Sequence, residues 1–329
     1  MKLTWPAGVL VVLLAAAACG GSGGGPSGAP ALEKVNYLTS FSTFGRDAYV
    51  HVALEKGYFR EAGLDVTIKP GSGTVDVMKL LAGRRADFGP GDFTGALITL
   101  AKEKLPVTAV GMIHQRTLAA IVALDGSGIA EPADLEGKTV GDVPGSTNQL
   151  TFPVYAKAAG VDAAKVSFVP SQPPALPQLL AGGRVDAIGQ FVVGRPLIEK
   201  AARGRKAVVL PYGDVLPDLY GNALFAPTAL GKEKPELVKK FTAALMKGLA
   251  YSIANPQETG TILRKHQPTQ DPAVAAAEVE AMAPYVTPGL GTVDRGRVAA
   301  VIELLREAGA ITTPLTPEQA VDFTVSRAG

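Results

Sequence analysis

Two stretches of the chain, KLLAGRRADFG at Lys79–Gly89 and LLAGGRVDAIGQF at Leu179–Phe191, read as one pattern written twice at a spacing of about one hundred residues. Each is the end of a helix, closed by a glycine suited to a left-handed cap (Gly83, Gly182), followed by a basic residue, an aspartate and a short apolar strand carrying Phe88 or Ile188. Upstream of each lies a strand, Val66–Ile68 or Val166–Val169, that runs into a proline-containing loop, Pro70–Thr74 or Pro170–Pro174. Further upstream the first copy has a strand at Val35–Leu38, a Ser/Thr loop (Ser40, Ser42, Thr43) and a helix closing on Glu61–Asp65. The second has a strand at Thr139–Gly141, then Gly145-Ser146-Thr147, and a helix closing on Ala158–Asp162. Both copies therefore read βαβαβ. A parallel crossover needs a helix to return the chain, so the pattern predicts an α/β protein with two doubly wound, mostly parallel sheets. Ligands of open α/β sheets sit beyond the carboxyl ends of the strands, which places the site between the two sheets.

The segments flanking the copies fit two lobes joined by two crossings. Val107–Ile113, His114–Thr117 and Leu118–Ala123 form a strand–loop–strand crossing, and Lys206–Leu210 with Asn222–Ala226 form the return. Lobe 1 is thus expected to comprise residues 32–115 with 223–329, and lobe 2 residues 116–222. The tail turns helical: Leu237, Phe241, Leu245 and Leu249 recur at four-residue spacing after Pro235, and Asn255-Pro256 stops that helix. Asp271-Pro272 and the capping box Thr316-Pro317-Glu318-Gln319 start further helices, and Val298, Val301, Ile302 and Leu305 line another that ends at Gly309. This tail is expected to complete lobe 1.

Composition narrows the function. The chain is 47% hydrophobic and 19% charged, an ordinary globular balance, and 329 residues suffice for two cores. A net charge of +2 with scattered basic residues argues against nucleic acid as a partner. Residues 1–18 have the layout of a secretory signal peptide: Lys2, an apolar run from Ala7 to Leu14, and small residues before Cys19. The run is shorter than the roughly 20 residues a membrane span needs. Cys19 is the only cysteine, which excludes an internal disulfide. Its setting resembles the lipobox of bacterial lipoproteins, with Ala16 where leucine is usual, and implies lipidation of Cys19. Residues 19–31 then combine the anchor with a flexible Gly/Ser linker.

Four stretches carry a wider resemblance: AYVHVALEKGYFREAGLDVTI (48–68), KLLAGRRADFG (79–89), GSGIAEPADLEGKTVG (126–141) and LLAGGRVDAIGQF (179–191). Together they resemble the substrate-binding proteins of importers for alkanesulfonates, nitrate and taurine and for thiamine pyrimidine precursors. The resemblance implies a two-lobed type II periplasmic-binding-protein fold and hinge closure on a small molecule. It also implies delivery to an ABC permease and its ATPase subunits, from an extracytoplasmic, lipid-anchored position. Relatives include an enzyme-like branch with a cysteine-rich CCCFC iron site, which a lone cysteine rules out here, and menaquinone-pathway enzymes of the same general fold.

Candidate ligand residues fall at the expected strand ends. Ser146, Thr147 and Asn148 follow Pro144-Gly145 at a helix start, where free amides hold an oxygen; the plain alternative is N-capping. Ser72, Gly73 and Thr74 offer the same geometry in the first copy, and Asp76 replaces the third glycine of a dinucleotide fingerprint. Phe41, Phe44, Phe93, Phe191 and Tyr220 suit stacking on a flat ring, or else core packing. Asp47, Asp92, Gln115, Gln190 and Asn222 suit directional hydrogen bonds, and Arg116 would meet an acidic ligand or a hinge aspartate. His51, His114 and His266 lack the spacing of a metal site. His114, nearest the cleft, reads as structural, since no nucleophile or paired carboxylate accompanies it.

The expectation is a monomeric, non-enzymatic binding protein without metal or cofactor, whose ligand is a small heteroaromatic, vitamin-precursor-like molecule such as a thiamine pyrimidine precursor. The alternatives are an alkanesulfonate- or nitrate-type anion, read through the Ser/Thr loops, and an enzyme on the same fold that processes chorismate or a pyrimidine.

Overall fold

The computed structural model describes residues 31–40 and 44–328, and the chain from Leu32 onward is one compact unit. The expected signal peptide, Cys19 and nearly all of the linker lie outside the described residues, as does Phe41.

The first copy runs β1 (Glu33–Leu38), α1 (Tyr49–Glu55), α2 (Tyr58–Glu61), β2 (Leu64–Lys69), α3 (Thr74–Ala82), β3 (Gly89–Asp92), α4 (Phe93–Glu103) and β4 (Val107–Met112). The second runs β5 (Ala119–Leu124), β6 (Thr139–Asp142), α5 (Thr147–Ala159), β7 (Ser167–Pro170), α6 (Leu176–Ala181), β8 (Ala187–Phe191), α7 (Arg195–Ala201) and β9 (Ala207–Pro211). The tail continues as β10 (Asn222–Pro227), α8 (Thr228–Glu233), α9 (Pro235–Ala254), α10 (Pro256–His266) and α11 (Pro272–Val286). It ends with β11 (Thr292–Val293), α12 (Arg295–Glu307), α13 (Pro317–Ala320) and β12 (Arg327–Ala328).

The two large sheets share one order. The second is β7-β6-β8-β5-β9. In the first, β1 pairs with β2, β3-β10-β4 form a ladder, and a parallel bridge from Tyr37 to Phe88 links the two parts, giving β2-β1-β3-β10-β4. Both sheets are mostly parallel, with one antiparallel strand each in the fourth position: β10 in the first and β5 in the second. That strand comes from the crossings. The chain leaves the first sheet by β4 and enters the second as β5, then leaves by β9 and returns as β10. β4, β5 and β10 are buried along their whole length, so their side chains form near-continuous small and apolar runs instead of alternating.

The tail covers the first sheet. Leu237, Phe241, Leu245 and Leu249 are all buried, and the Phe241 ring stacks on Phe88 at 4.1 Å and on Phe59 at 5.2 Å. Asp271 and Thr316 cap α11 and α13, the latter through a full capping box.

The helix caps at Gly83 and Gly182 differ from expectation. These glycines have φ of −79° and −85°, and the left-handed residues are the next ones, Arg84 (φ 52°) and Gly183 (φ 64°). The reason is the hydrogen bonding. The amides of Arg85 and Arg184 reach back to the carbonyls of Leu80 and Leu179, both at 2.9 Å, and that closure puts the left-handed turn one residue beyond the cap.

Candidate functional site

The carboxyl ends of β1, β2 and β3 and those of β6, β7 and β8 open on one cavity of about 340 Å³. β10 is antiparallel to its neighbours, so it contributes its first residue, Asn222, at the same end. Of the residues singled out in the sequence, Phe44, Ser72, Gly73, Thr74, Asp92, Ser146, Thr147, Asn148, Gln190, Phe191 and Asn222 line it. The cavity thus has walls from both βαβαβ copies.

Three helices begin at this wall: α3 after Gly73, α4 after Asp92 and α5 after Ser146. Asp92 caps α4 by accepting from the Gly95 amide at 2.9 Å, and Ser146 Oγ caps α5 by accepting from the Gln149 amide at 3.0 Å. Ser146 is therefore both a cap and a wall residue. Gly73 has φ 108°, which only glycine adopts readily, and it starts α3 without a side chain between helix and cavity. Two contacts bridge the walls. The hydroxyls of Thr74 and Thr147 meet at 3.4 Å, and the Arg46 guanidinium lies 3.8 Å from the Phe191 ring centroid.

Arg46 was not anticipated, although it sits beside Asp47 in the loop after β1. It is only 2% exposed. Its Nη2 donates to Ser40 Oγ at 3.3 Å and its Nε to Asp47 Oδ2 at 3.5 Å, and Ser40 Oγ in turn donates to Asp47. Nη1 has no hydrogen-bond partner. Glu278 on α11 accepts from the Gly45 amide at 2.5 Å and completes a buried group of charges behind the wall.

Burial dominates the carboxyls here. It raises Asp92 to about 7, against the amides of Gly95 and Thr94 and the field of Arg46. It raises Asp142 to about 6, against the hydrogen bonds from Ser146 and Val143. It also raises Glu278 to about 7 and lifts Asp47 above the usual range despite Arg46.

The remaining predicted residues lie elsewhere. Asp47 is behind the wall, held by Ser40 and Arg46. Phe93 and Tyr220 pack edge-to-face in the core at 5.7 Å, and Tyr220 Oη accepts from the Asp294 amide. Gln115 donates to the carbonyls of Gly289 and Thr292, and Arg116 donates to the Pro284 carbonyl and covers the Tyr285 ring. These two residues fasten the first crossing to the tail. His114 is fully buried, accepts from the Asn222 amide at 3.2 Å, and is pushed down to about 3 by burial, so its ring is neutral. Among the described residues, no group of three or more His, Cys, Asp or Glu is arranged to hold a metal ion.

Besides Arg46, the wall includes Ser40, Val75, Asp76, Lys79, Asp142 and Leu176, none of them expected there from the sequence. Asp142 carried a signal, being a carboxylate that ends a buried strand just before Val143-Pro144-Gly145.

A family model described as NMT1/THI5 like matches residues 47–259. A riboflavin-binding protein of Chloroflexus aurantiacus is 26% identical over 311 residues, covering 90% of this chain and 86% of its own. A formylaminopyrimidine-binding protein of Halalkalibacterium halodurans is 26% identical over 77% of this chain and 76% of its own. A 4-amino-5-hydroxymethyl-2-methylpyrimidine phosphate synthase of Aspergillus parasiticus is 27% identical over 68% of each chain. Among solved structures, the alkanesulfonate-binding protein SsuA of Xanthomonas axonopodis pv. citri, bound to MOPS, superposes with a TM-score of 0.70 at 18% identity. That match covers 89% of this chain and 98% of the other, and the shared architecture is the periplasmic-binding-protein fold.

Proposed function

The chain belongs to the NMT1/THI5-like family, and from that premise we propose that it is the substrate-binding protein of an ABC-type importer. The observation that carries this reading is the cavity walled by both copies, since a ligand held there touches two bodies at once and shifts their equilibrium towards closure. We take residues 32–115 with 223–329 as one lobe and 116–222 as the other, with boundaries at the His114–Thr117 crossing and the start of β10. Hinge closure then delivers the solute to a permease and its ATPase subunits. The protein works as a monomer outside the cytoplasm, tethered through lipidated Cys19. No helix among the described residues is long and apolar enough to cross a membrane.

The ligand is a flat, polar heteroaromatic molecule of the vitamin or vitamin-precursor class, to which thiamine pyrimidine precursors belong. Relatives named for riboflavin and formylaminopyrimidine support a ring. Phe44 and Phe191 on the wall support it too. The competing anion reading draws on the three helix N-termini and on the sulfonate-binding neighbour. Against it, the described wall carries three carboxyls, Asp76, Asp92 and Asp142, and two cationic side chains, Arg46 and Lys79. An enzymatic role has a named relative in the fungal synthase. Among the described residues, however, the wall holds neither a cysteine nor a histidine, and two of its carboxyls are engaged, Asp92 as a helix cap and Asp142 as a loop tie.

A melting-temperature screen of the protein against thiamine precursors, flavins, nucleobases and sulfonates tests the reading. Stabilisation by ring compounds without their turnover is the expected outcome, and stabilisation by sulfonates alone overturns the ligand class.

A further inference from the structure

Among the described residues, the wall contributed by the second copy carries one charged side chain, the carboxyl of Asp142, and no cation. Both wall cations stand on the first copy, and each has a carboxylate partner there, Arg46 in Asp47 and Lys79 in Glu103 at 3.2 Å. Asp142 is 3% exposed. Its Oδ1 accepts from the Val143 amide and its Oδ2 from the Ser146 hydroxyl, both at 2.7 Å. A carboxylate has room for about four such bonds, so part of its accepting capacity is unused. Burial raises Asp142 to about 6, and only these two hydrogen bonds oppose the rise, with no positive charge among the causes.

The duplicated scaffold does not ask for this charge. The Asn36 amide donates to Asp87 Oδ2 at 2.7 Å and the Thr139 amide to Asp186 Oδ2 at 2.8 Å, which aligns β1 with β6 and sets Thr39 at the position of Asp142. The loops agree: the Gly71 amide donates to Thr39 Oγ1 at 3.2 Å, and the Ser171 amide to the Asp142 carbonyl at 2.9 Å. One copy thus ends this strand on a neutral hydroxyl and the other on a buried carboxyl. Gly189 on β8 makes the room for it, since a β-carbon there would lie 2.2 Å from Asp142 Oδ2. Val143, Ser146 and Gly189, which surround the carboxyl, all line the cavity with it. A buried carboxylate without a cation is unfavourable, and the same scaffold is built without one in the first copy, so its partner has to come from the cavity.

We propose that the ligand is a ring compound carrying a positively charged nitrogen, an ammonium or amidinium group, and that Asp142 is the residue that selects this charge. The inference rests on the ring-binding reading above and narrows it. A neutral ring leaves the carboxylate of Asp142 without a counter-charge, and a sulfonate sets a like charge against it. A cationic nitrogen supplies both the charge and the N–H donors that the carboxylate still accepts. The closure of the walls strengthens the pairing by keeping water from it.

The test compares four probes on the full-length chain by calorimetry at pH 7, above the value of about 6 for Asp142. They are 4-amino-5-aminomethyl-2-methylpyrimidine, whose aminomethyl group is protonated there; 4-amino-5-hydroxymethyl-2-methylpyrimidine, its neutral counterpart of nearly equal shape; riboflavin; and ethanesulfonate. The aminomethyl compound is expected to bind at least about ten-fold more tightly than the hydroxymethyl one. Asp142→Asn keeps an oxygen for the Val143 amide and removes only the charge, so it should abolish that preference while leaving the hydroxymethyl compound nearly unchanged. Equal weakening of the two pyrimidines in the variant would show a merely structural carboxyl and overturn the proposal. The comparison of the two pyrimidines on the unmodified protein stands even if the variant fails to fold. Equal binding of those two, or tighter binding of the hydroxymethyl compound or of riboflavin, overturns the selection of charge and leaves the ring-binding reading intact. Binding of ethanesulfonate alone, or of none of the four, overturns the ring reading and this inference with it.

Discussion

The two βαβαβ copies end their strands at the same cavity with different chemistry. The first brings Arg46 and Asp92, ionisable and almost wholly buried, with Asp47 behind them; the second brings Ser146, Thr147, Asn148 and Gln190, polar and uncharged, around the single carboxyl of Asp142. Strand order, helix placement and even the fourth antiparallel strand agree between them. Duplication of the scaffold therefore dictates where a ligand goes, and divergence of the loops dictates which one. On the first wall Arg46 is held by Ser40 and Asp47 and Asp92 by the Gly95 amide, whereas the neutral groups of the second are tied mainly within their own copy, Ser146 to Asp142 and Asn148 to the Gln190 carbonyl.

The largest expected effect tests how far the scaffolds have diverged at matched loop positions. Gly71 follows Pro70 as Ser171 follows Pro170. A β-carbon at Gly71 would lie 2.1 Å from the Thr39 carbonyl oxygen, a backbone atom with nowhere to go, while Ser171 only bonds back to Val169 at the surface. Gly71→Ala is expected to cost about 3 kcal/mol or more and Ser171→Ala less than about 0.5 kcal/mol, measured by urea unfolding. Similar losses at both sites would mean that the two loops pack alike and that the asymmetry lies elsewhere.

Most of the architecture was legible because it rests on local rules. A parallel crossover needs a helix, a helix needs a cap, and both leave marks at fixed spacing, as in LLAGGRVDAIGQF. The antiparallel strands were harder to place, because β5 and β10 are continuous apolar runs whose partners depend on which sheet receives the crossing. The wall residues beside turn signals, such as Ser72–Thr74 and Ser146–Asn148, followed from helix starts. Phe93 and Tyr220 did not, since an aromatic next to a loop carries the same letter whether it faces ligand or core. Arg46 escaped notice for a different reason. A buried arginine needs partners, and beside the nearby Ser40 and Asp47 this one has Phe191 and Glu278, which are far along the chain and come together with it only in the fold.

An intermediate effect separates the copies by pH. Asp92, in the first, is raised to about 7, and Asp142, in the second, to about 6, both by burial. A carboxyl whose folded pKa exceeds its unfolded value holds its proton longer in the folded state, so stability falls as pH rises from the unfolded value near 4 to the folded one. Glu278, also near 7, adds to the same slope. Buried His51 and His114, pushed down to about 4 and 3, act oppositely, but only below their unfolded value near 6.5. Between pH 6.5 and 7, then, the carboxyls act largely alone and stability is expected to fall with rising pH. Asp92→Asn, which keeps the cap on α4, should flatten that upper limb by about 1 kcal/mol, whereas Asp142→Asn should act mainly below pH 6, as read from urea midpoints across pH. An Asp142→Asn effect confined to the upper limb would reverse the assignment of the two walls.

The smallest effect comes from the turn that closes α3 and α6. Both helices finish with the same backbone closure, but the residue forced into the left-handed region is Arg84 at φ 52° in the first copy and Gly183 at φ 64° in the second. A side chain there crowds the backbone by about 1 kcal/mol, which glycine avoids. Arg84 also pairs with Glu233, yet both side chains are more than half exposed, and such pairs contribute little. Arg84→Gly is therefore expected to raise stability by roughly 0.5–1 kcal/mol, and Gly183→Ala to lower it by a similar amount. Making both changes at once should come out near neutral, because the two turns share no partner and their effects should add. If Arg84→Gly instead destabilised the protein, the pair with Glu233 would outweigh the strain of the turn, and the first copy would close its helix by charge where the second does so by backbone freedom.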